Sequence, residues 1–268
     1  MNPIIRIPLL LIGSWLAGLT LTGTDTVLAP VYPQKGTDPT ILSVSEAIYR
    51  EFKNTHTVLE AGQYTEVETV NRVSTELIRA INTRYGRTKA SKELEGFSWE
   101  VHLFQEKKVD AWCLPGGKIA VYDALVRVTQ SDGSLAAVLA HEMAHVLLKH
   151  GDARMKQILK EFLGGRSLQT ALSAKPAETR DFFRMAYGNG DYVGVIRGFS
   201  GEDEKAADQL GVVLCAMAGY QPGEALVFWQ RMRYLQGTGR QPELLSTHPL
   251  DEERMAQLRR VIGEMPGN

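Results

Sequence analysis

The stretch 135–154, LAAVLAHEMAHVLLKHGDAR, is apolar over most of its length but contains two histidines and a glutamate near its middle. Apolar residues on every face are typical of a helix buried in a protein core. A carboxylate in such a helix needs a strong compensating partner, because removing its charge from water is costly. The stretch therefore predicts a buried helix that carries a functional site.

The spacing of these polar residues suits a metal site. At about 100° per residue, His141 and His145 lie one turn apart on one face of a helix, so both imidazoles can reach one ion. Glu142 projects beside them, toward a water molecule near that ion. The alternative is a pair of core histidines beside an accidental glutamate, which the apolar setting disfavours. His150 lies about 140° from His145 if the helix continues, so we interpret it as a C-terminal cation of the helix.

A catalytic zinc ion needs a third protein ligand and one open position. The best candidate lies in the acidic segment 199–211, FSGEDEKAADQLG, where Glu204 and Asp208 share one face of a predicted helix. We predict that Glu204 binds the ion and that Asp208 accepts a hydrogen bond from a ligand imidazole. Glu202 and Asp203 are interpreted as the solvated helix start, and without the upstream histidines all four acids would be interpreted so. The sequence thus predicts one Zn2+ ion per chain.

The chain beyond residue 40 has mostly helical patterns, with a small sheet between Phe97 and Val128. Apolar residues at three- and four-residue steps between Val67 and Tyr85 predict a scaffold helix. Short runs of β-branched and aromatic residues on both sides of PGG at 115–117 predict a hairpin. The predicted fold class is therefore α+β, mainly α, with the hairpin beside the helix of the opening stretch.

The N-terminus differs in kind from the rest. In residues 1–23 the only charged side chain is Arg6, and it precedes an apolar run, which is the order of an export signal. We interpret this segment as a signal peptide or a retained anchor, and its cleavage stays open. Residues 24–40, with three prolines, are interpreted as a linker, and residues 41–268 as one domain. We therefore expect an exported protein, periplasmic or associated with the membrane through its N-terminus.

Composition and cysteine usage limit the partners. The formal net charge of -1 provides no field that would attract nucleic acid, so no nucleic-acid partner is expected. Cys113 and Cys215 can form one disulfide in an oxidising compartment or stay buried as free thiols, and their spacing does not decide between these states. The oligomeric state has no signal in the sequence.

A family resemblance rests on motifs that occur together and in order. They are LPGGKIAVYDALV at 114–126, HEMAH at 141–145, the ExxAD pattern of Glu204 and Asp208, and STHPLDEER at 246–254. Over roughly residues 65–262 the chain resembles the M48 peptidases, above all their exported bacterial branch and its mitochondrial inner-membrane relative. The resemblance implies a mainly helical zincin domain with a small sheet, polypeptide substrates and endopeptidase activity. It also implies a zinc ion held by His141, His145 and Glu204.

The same resemblance implies that His248 returns to the site. Two roles are open there, a donor to the oxyanion of the reaction intermediate or a fourth zinc ligand that keeps the enzyme latent. From the residues alone, Thr-His-Pro is also ordinary chemistry for a surface turn. The chain departs from the family pattern at Gly201 and Ala206, where an arginine and a second acid are common. This departure puts a salt bridge around the site in doubt.

These inferences predict a zinc-dependent endopeptidase for unfolded or misassembled envelope proteins. Glu142 would deprotonate the attacking water. Its presence favours a catalytic site, because a purely structural zinc site needs no base beside the metal. We expect KIAVYD at 118–123 to be a sheet edge that pairs with extended substrate main chain. The substrate-contacting residues of that edge would be Lys118, Ile119, Ala120 and Val121. Two alternatives are a chaperone or assembly factor with a latent zinc site, and a structural domain in which a fourth ligand closes the site.

Overall fold

The structure is a computed structural model that describes residues 36–86, 94–187, 199–240 and 242–265. The predicted signal or anchor at 1–23 and most of the predicted linker lie outside these residues. The end of that linker belongs to the first helix, which begins at Pro39, because proline suits the first helical position and Asp38 caps it. In the ranges described, no helix is both long and apolar enough to cross a membrane.

The described part of the chain is mainly helical and contains one small mixed sheet, which confirms the predicted fold class. Its strands are β1 (Glu100–Phe104), β2 (Ala111–Leu114) and β3 (Lys118–Tyr122). Its helices are α1 (Pro39–Thr55), α2 (Thr65–Gly86), α3 (Asp123–Thr129), α4 (Asp132–Leu147), α5 (His150–Phe162), α6 (Leu168–Ala174), α7 (Pro176–Ala186), α8 (Gly201–Met217), α9 (Glu224–Gly237), α10 (Leu244–Thr247) and α11 (Glu252–Gly263). The predicted scaffold helix is α2, and the predicted hairpin is β2 and β3.

The middle strand of the sheet is β3, because the strand order is β1-β3-β2. It pairs with β1 in parallel and with β2 in antiparallel orientation. The prediction of a substrate-binding edge at 118–123 is therefore wrong. Its four residues have strand partners on both sides: Lys118, Ile119, Ala120 and Val121. The hairpin pattern revealed only the antiparallel partner, since a parallel pairing joins separate segments and has no local sequence signature.

Both faces of β2 and β3 are buried, and alternate side chains of the sheet enter two hydrophobic cores. One core joins the sheet to α2, α4, α8, α9 and α11, and the other joins it to α1, α5, α6 and α7. The first core contains Cys113 and Cys215, which are both free thiols in this structure. Burial on both faces explains why β2 and β3 do not show the simple apolar and polar alternation of a surface sheet.

The two helices α4 and α8 form the centre of the first core. In α4 every residue from Ser134 to Leu147 is buried, and the Ser131 side chain caps its first turn. In α8 the N-cap residue Ser200 and Asp203 form a reciprocal capping box. Gly211 allows a close approach of the two helices, because an added Cβ atom there would lie 3.2 Å from the His141 amide nitrogen. This approach brings polar side chains of both helices to one place.

The chain turns sharply directly after α4. Helix α4 ends at Leu147, and Lys149 adopts the left-handed conformation with φ of 59°. His150 then begins α5, so its predicted place as a C-terminal cation of α4 is wrong. Glycine is the usual residue for a left-handed helix end, and a lysine in that role has no pattern that a sequence reader could recognise.

Candidate metal centre

Four buried side chains converge between α4 and α8: His141, His145, Glu204 and His248. One nitrogen or carboxylate oxygen of each lies within 4.8 Å of the others. His141 Nε2 is 3.1 Å from His145 Nε2 and 3.3 Å from Glu204 Oε2. Glu204 Oε1 is 3.5 Å from His145 Nε2. The three ligands predicted from the sequence therefore lie together in the structure.

His248 completes this cluster from the C-terminal end of α10. Its Nδ1 atom lies 3.0 Å from Glu204 Oε1 and 3.2 Å from His141 Nε2, while its Nε2 atom lies 3.3 Å from Glu142 Oε1. The side chain is 2% exposed, so the alternative of a surface turn residue is wrong. His248 contacts both the predicted ligands and the predicted base.

Glu142 lies at the edge of the cluster, and its side chain is 5% exposed. Its Oε1 atom is buried and accepts no hydrogen bond. Burial raises the pKa of Glu142 to about 7, with His248 opposing the shift and Glu204 adding to it. A carboxyl group with this pKa can both take up and release a proton near neutral pH.

Asp208 lies one helical turn beyond Glu204 and touches the outer nitrogen of a ligand. Its Oδ1 atom is 3.0 Å from His141 Nδ1. A proton on Nδ1 that faces this carboxylate leaves the Nε2 lone pair directed at the cluster. The structure thus brings Asp208 next to His141, and its role as the hydrogen-bond acceptor of this ligand stays a prediction.

Arg254 of α11 contacts the site, although no pattern in the sequence predicted a role for it there. Its Nε atom donates to Asp208 Oδ2 at 2.6 Å, and its Nη1 atom lies 2.7 Å from Glu204 Oε2. The guanidinium also lies 4.2 Å from the centroid of the Trp229 ring. Arg254 therefore forms buried salt bridges with both carboxylates, Glu204 and Asp208.

The charge of Arg254 also affects the pKa values of the acids around it. Burial alone would raise the pKa of Glu204, but His248 and Arg254 outweigh burial and hold this pKa well below its usual range. The pKa of Asp208 is lowered in the same way, because Arg254 more than offsets its burial. Both carboxyl groups are therefore ionised at neutral pH, which is the state in which a carboxylate binds a metal.

The residues present fit a divalent zinc ion. The ionised carboxylates Glu204 and Asp208 are each at most 4% exposed, and the single charge of Arg254 pairs with both. Excess buried negative charge is costly, and a divalent cation would offset it. Two imidazole nitrogens and a carboxylate oxygen, with a third imidazole beside them, are also the donor types of zinc sites.

Comparison with known proteins identifies the family. The model of peptidase family M48 matches residues 71–262. The chain belongs to peptidase family M48. The mitochondrial metalloendopeptidase OMA1 of Schizosaccharomyces pombe is 28% identical, and the match covers 66% of this chain and 51% of the relative. OMA1 of Arabidopsis thaliana is 32% identical, over 62% of this chain and 32% of the relative. The beta-barrel assembly-enhancing protease of Escherichia coli K12 is 28% identical, over 61% of this chain and 34% of the relative. The chain thus spans about half, or less, of the length of these relatives.

Membership of family M48 confirms the resemblance seen in the motifs. The matched range contains the whole cluster and extends to α11 with Arg254. M48 metallopeptidases use zinc, and the cluster of this M48 chain provides the donors for it. The individual roles of Glu142, His248 and Asp208 in the M48 site stay predictions.

Proposed function

We propose that the protein is a zinc-dependent endopeptidase that hydrolyses peptide bonds in unfolded or misassembled envelope proteins. The observation that carries the proposal is the buried Glu142 carboxyl group, which lies beside a four-residue cluster that could hold a metal ion. Relatives named metalloendopeptidase and beta-barrel assembly-enhancing protease support the reaction and the substrate class. The N-terminal export pattern supports a periplasmic or membrane-associated location.

The chemistry of the proposed reaction is divided between the ion and the chain. When bound, Zn2+ would act as a Lewis acid that polarises the scissile carbonyl and makes water a better nucleophile at neutral pH. Glu142 accepts the proton of the attacking water as a general base and then returns it to the leaving amine as a general acid. Asp208 orients His141 through its Nδ1 atom, and Arg254 keeps Glu204 ionised.

We expect the zinc-loaded protein to cleave an unfolded outer-membrane β-barrel protein much faster than the same protein folded in detergent. An unfolded chain exposes the main chain that a protease must reach, whereas a folded barrel does not. Gel analysis of timed digests would measure both rates, with a chelator-treated sample as the control. Equal cleavage of both forms would contradict the substrate class, and absence of cleavage of both would contradict the endopeptidase.

A latent assembly factor on the same fold is a second candidate, and the position of His248 favours it. With Nδ1 at 3.0 Å from Glu204 Oε1, the imidazole is close enough to the cluster to act as a fourth ligand. Such a site would have no open position for water. The same barrel substrate separates the two candidates, since an assembly factor would suppress its aggregation without cutting it.

Replacement of His248 with Ala tests which of its two roles operates. Loss of an oxyanion donor is expected to lower the rate of cleavage by about 100-fold. Loss of a blocking ligand is expected to raise the rate, because a position on the ion is freed. Initial rates for one unfolded substrate would give the sign, and an unaltered rate together with unaltered zinc affinity would contradict both roles.

A further inference from the structure

His150 occupies a position that the turn after α4 makes accessible. In a continuous helix it would lie on the far side from the ligands, but the left-handed residue Lys149 reverses the chain before α5. The imidazole of His150 comes back beside His145, with ring centroids 4.9 Å apart and planes at 78°. Its side chain is 10% exposed, so it belongs to the interior of the site.

The contact between the two histidines joins their Nδ1 atoms. His145 Nδ1 and His150 Nδ1 are 2.9 Å apart, which is a hydrogen-bonding distance. The opposite nitrogen of His145, Nε2, faces His141 and Glu204 in the ligand cluster. On the other side of His150, its Nε2 atom lies 3.7 Å from Asp203 Oδ1. The contacts thus form a row from the cluster through His145 and His150 to Asp203.

Proton positions follow from this arrangement. An imidazole that binds a metal through Nε2 carries its proton on Nδ1, so His145 must be the donor of the contact. His150 must then accept through an unprotonated Nδ1 atom and carry its own proton on Nε2, on the side of Asp203. Without an acceptor at this place, the buried Nδ1 proton of His145 would lose its hydrogen bond, which is unfavourable for the tautomer that binds the ion.

We propose that His150 is a positioning residue that fixes the tautomer and ring orientation of the zinc ligand His145. It does for this ligand what Asp208 does for His141. Its Nδ1 atom is directed at His145, and the four-residue ligand cluster does not include it. Phe199, stacked on the His145 ring with centroids 4.1 Å apart, restrains the ligand through packing but offers no acceptor. The proposal rests on the zinc site of the proposed function.

The test compares zinc affinity in two variants of His150 by competition with a chromophoric chelator. His150→Phe keeps an aromatic ring but removes the acceptor, and it is expected to weaken zinc binding by about 10- to 100-fold. His150→Asn places an amide oxygen near the position of Nδ1 and is expected to restore most of the affinity. His56→Phe, at the C-terminal end of α1, is the matched control and is expected to bind zinc like the wild type.

Circular dichroism would show that the variants are folded before zinc affinity is compared. Wild-type affinity in His150→Phe would overturn the proposal, and so would an Asn variant as weak as the Phe variant, because packing alone would then explain the effect. A wild-type protein that binds no zinc would overturn both this proposal and the proposed function. If the wild-type protein binds zinc but cleaves no substrate, the proposed function is overturned. The role of His150 is still supported in that case if zinc affinity falls in His150→Phe but not in His150→Asn or His56→Phe.

Discussion

Glu142→Gln is expected to lower the rate of cleavage of an unfolded substrate by roughly two to four orders of magnitude, the usual contribution of a general acid–base group. The amide has the size of the carboxyl group but cannot take the proton of the attacking water. Zinc content is expected to stay at the wild-type level, since Glu142 is not one of the four clustered ligand residues. A neutral side chain also suits this buried position, so the variant is expected to fold.

The measurement combines initial rates of cleavage with metal analysis of the same purified sample. Glu202→Gln is the matched control, because this glutamate is 87% exposed on α8 and lies outside the cluster. Wild-type turnover in Glu142→Gln would contradict the assignment of the base. Loss of zinc from that variant would instead identify Glu142 as a ligand, and the mechanism would have to be reassigned.

The part of the site that the sequence predicted depends on local helical geometry. His141 and His145 on α4, and Glu204 and Asp208 on α8, are pairs four residues apart, and this spacing alone places each pair on one face. A buried carboxylate in an apolar helix then indicates a compensating charge. The resemblance to the M48 peptidases, carried by motifs that include the same two helices, implied the same three ligands.

The parts that the sequence did not predict depend on contacts between distant segments. Arg254 is buried between Asp208 and Glu204, although α11 starts with exposed acids and has the composition of a surface helix. To predict that β3 lies between two strands, its parallel pairing with β1 would have to be known, and hairpin patterns do not reveal it. The position of His150 beside His145 depends on the left-handed conformation of Lys149, and lysine is not a residue that indicates this conformation. In each case the local pattern was compatible with several tertiary arrangements.

Glu204→Ala is expected to weaken zinc binding by about 100- to 1,000-fold, if the roughly 10–16 kcal/mol of a four-ligand zinc site is shared evenly among its ligands. The variant loses an ionised carboxylate that lies 3.3 Å from His141 Nε2 and 3.5 Å from His145 Nε2. It also removes one of the two carboxylates that form ion pairs with Arg254, so a lower melting temperature is expected as well.

Asp208→Asn tests the carboxyl group one helical turn beyond the predicted ligand Glu204 and leaves that ligand in place. The amide keeps the shape of the side chain and one oxygen that can accept from His141 Nδ1, but it loses the charge that pairs with Arg254. We expect zinc affinity to fall by about 10- to 100-fold, less than in Glu204→Ala, because an outer partner orients a ligand without binding the ion. Chelator competition on both variants gives the order directly. If Glu204→Ala stayed loaded while Asp208→Asn lost its zinc, the two carboxyl groups would have to exchange roles, with Asp208 binding the ion and Glu204 orienting the histidine.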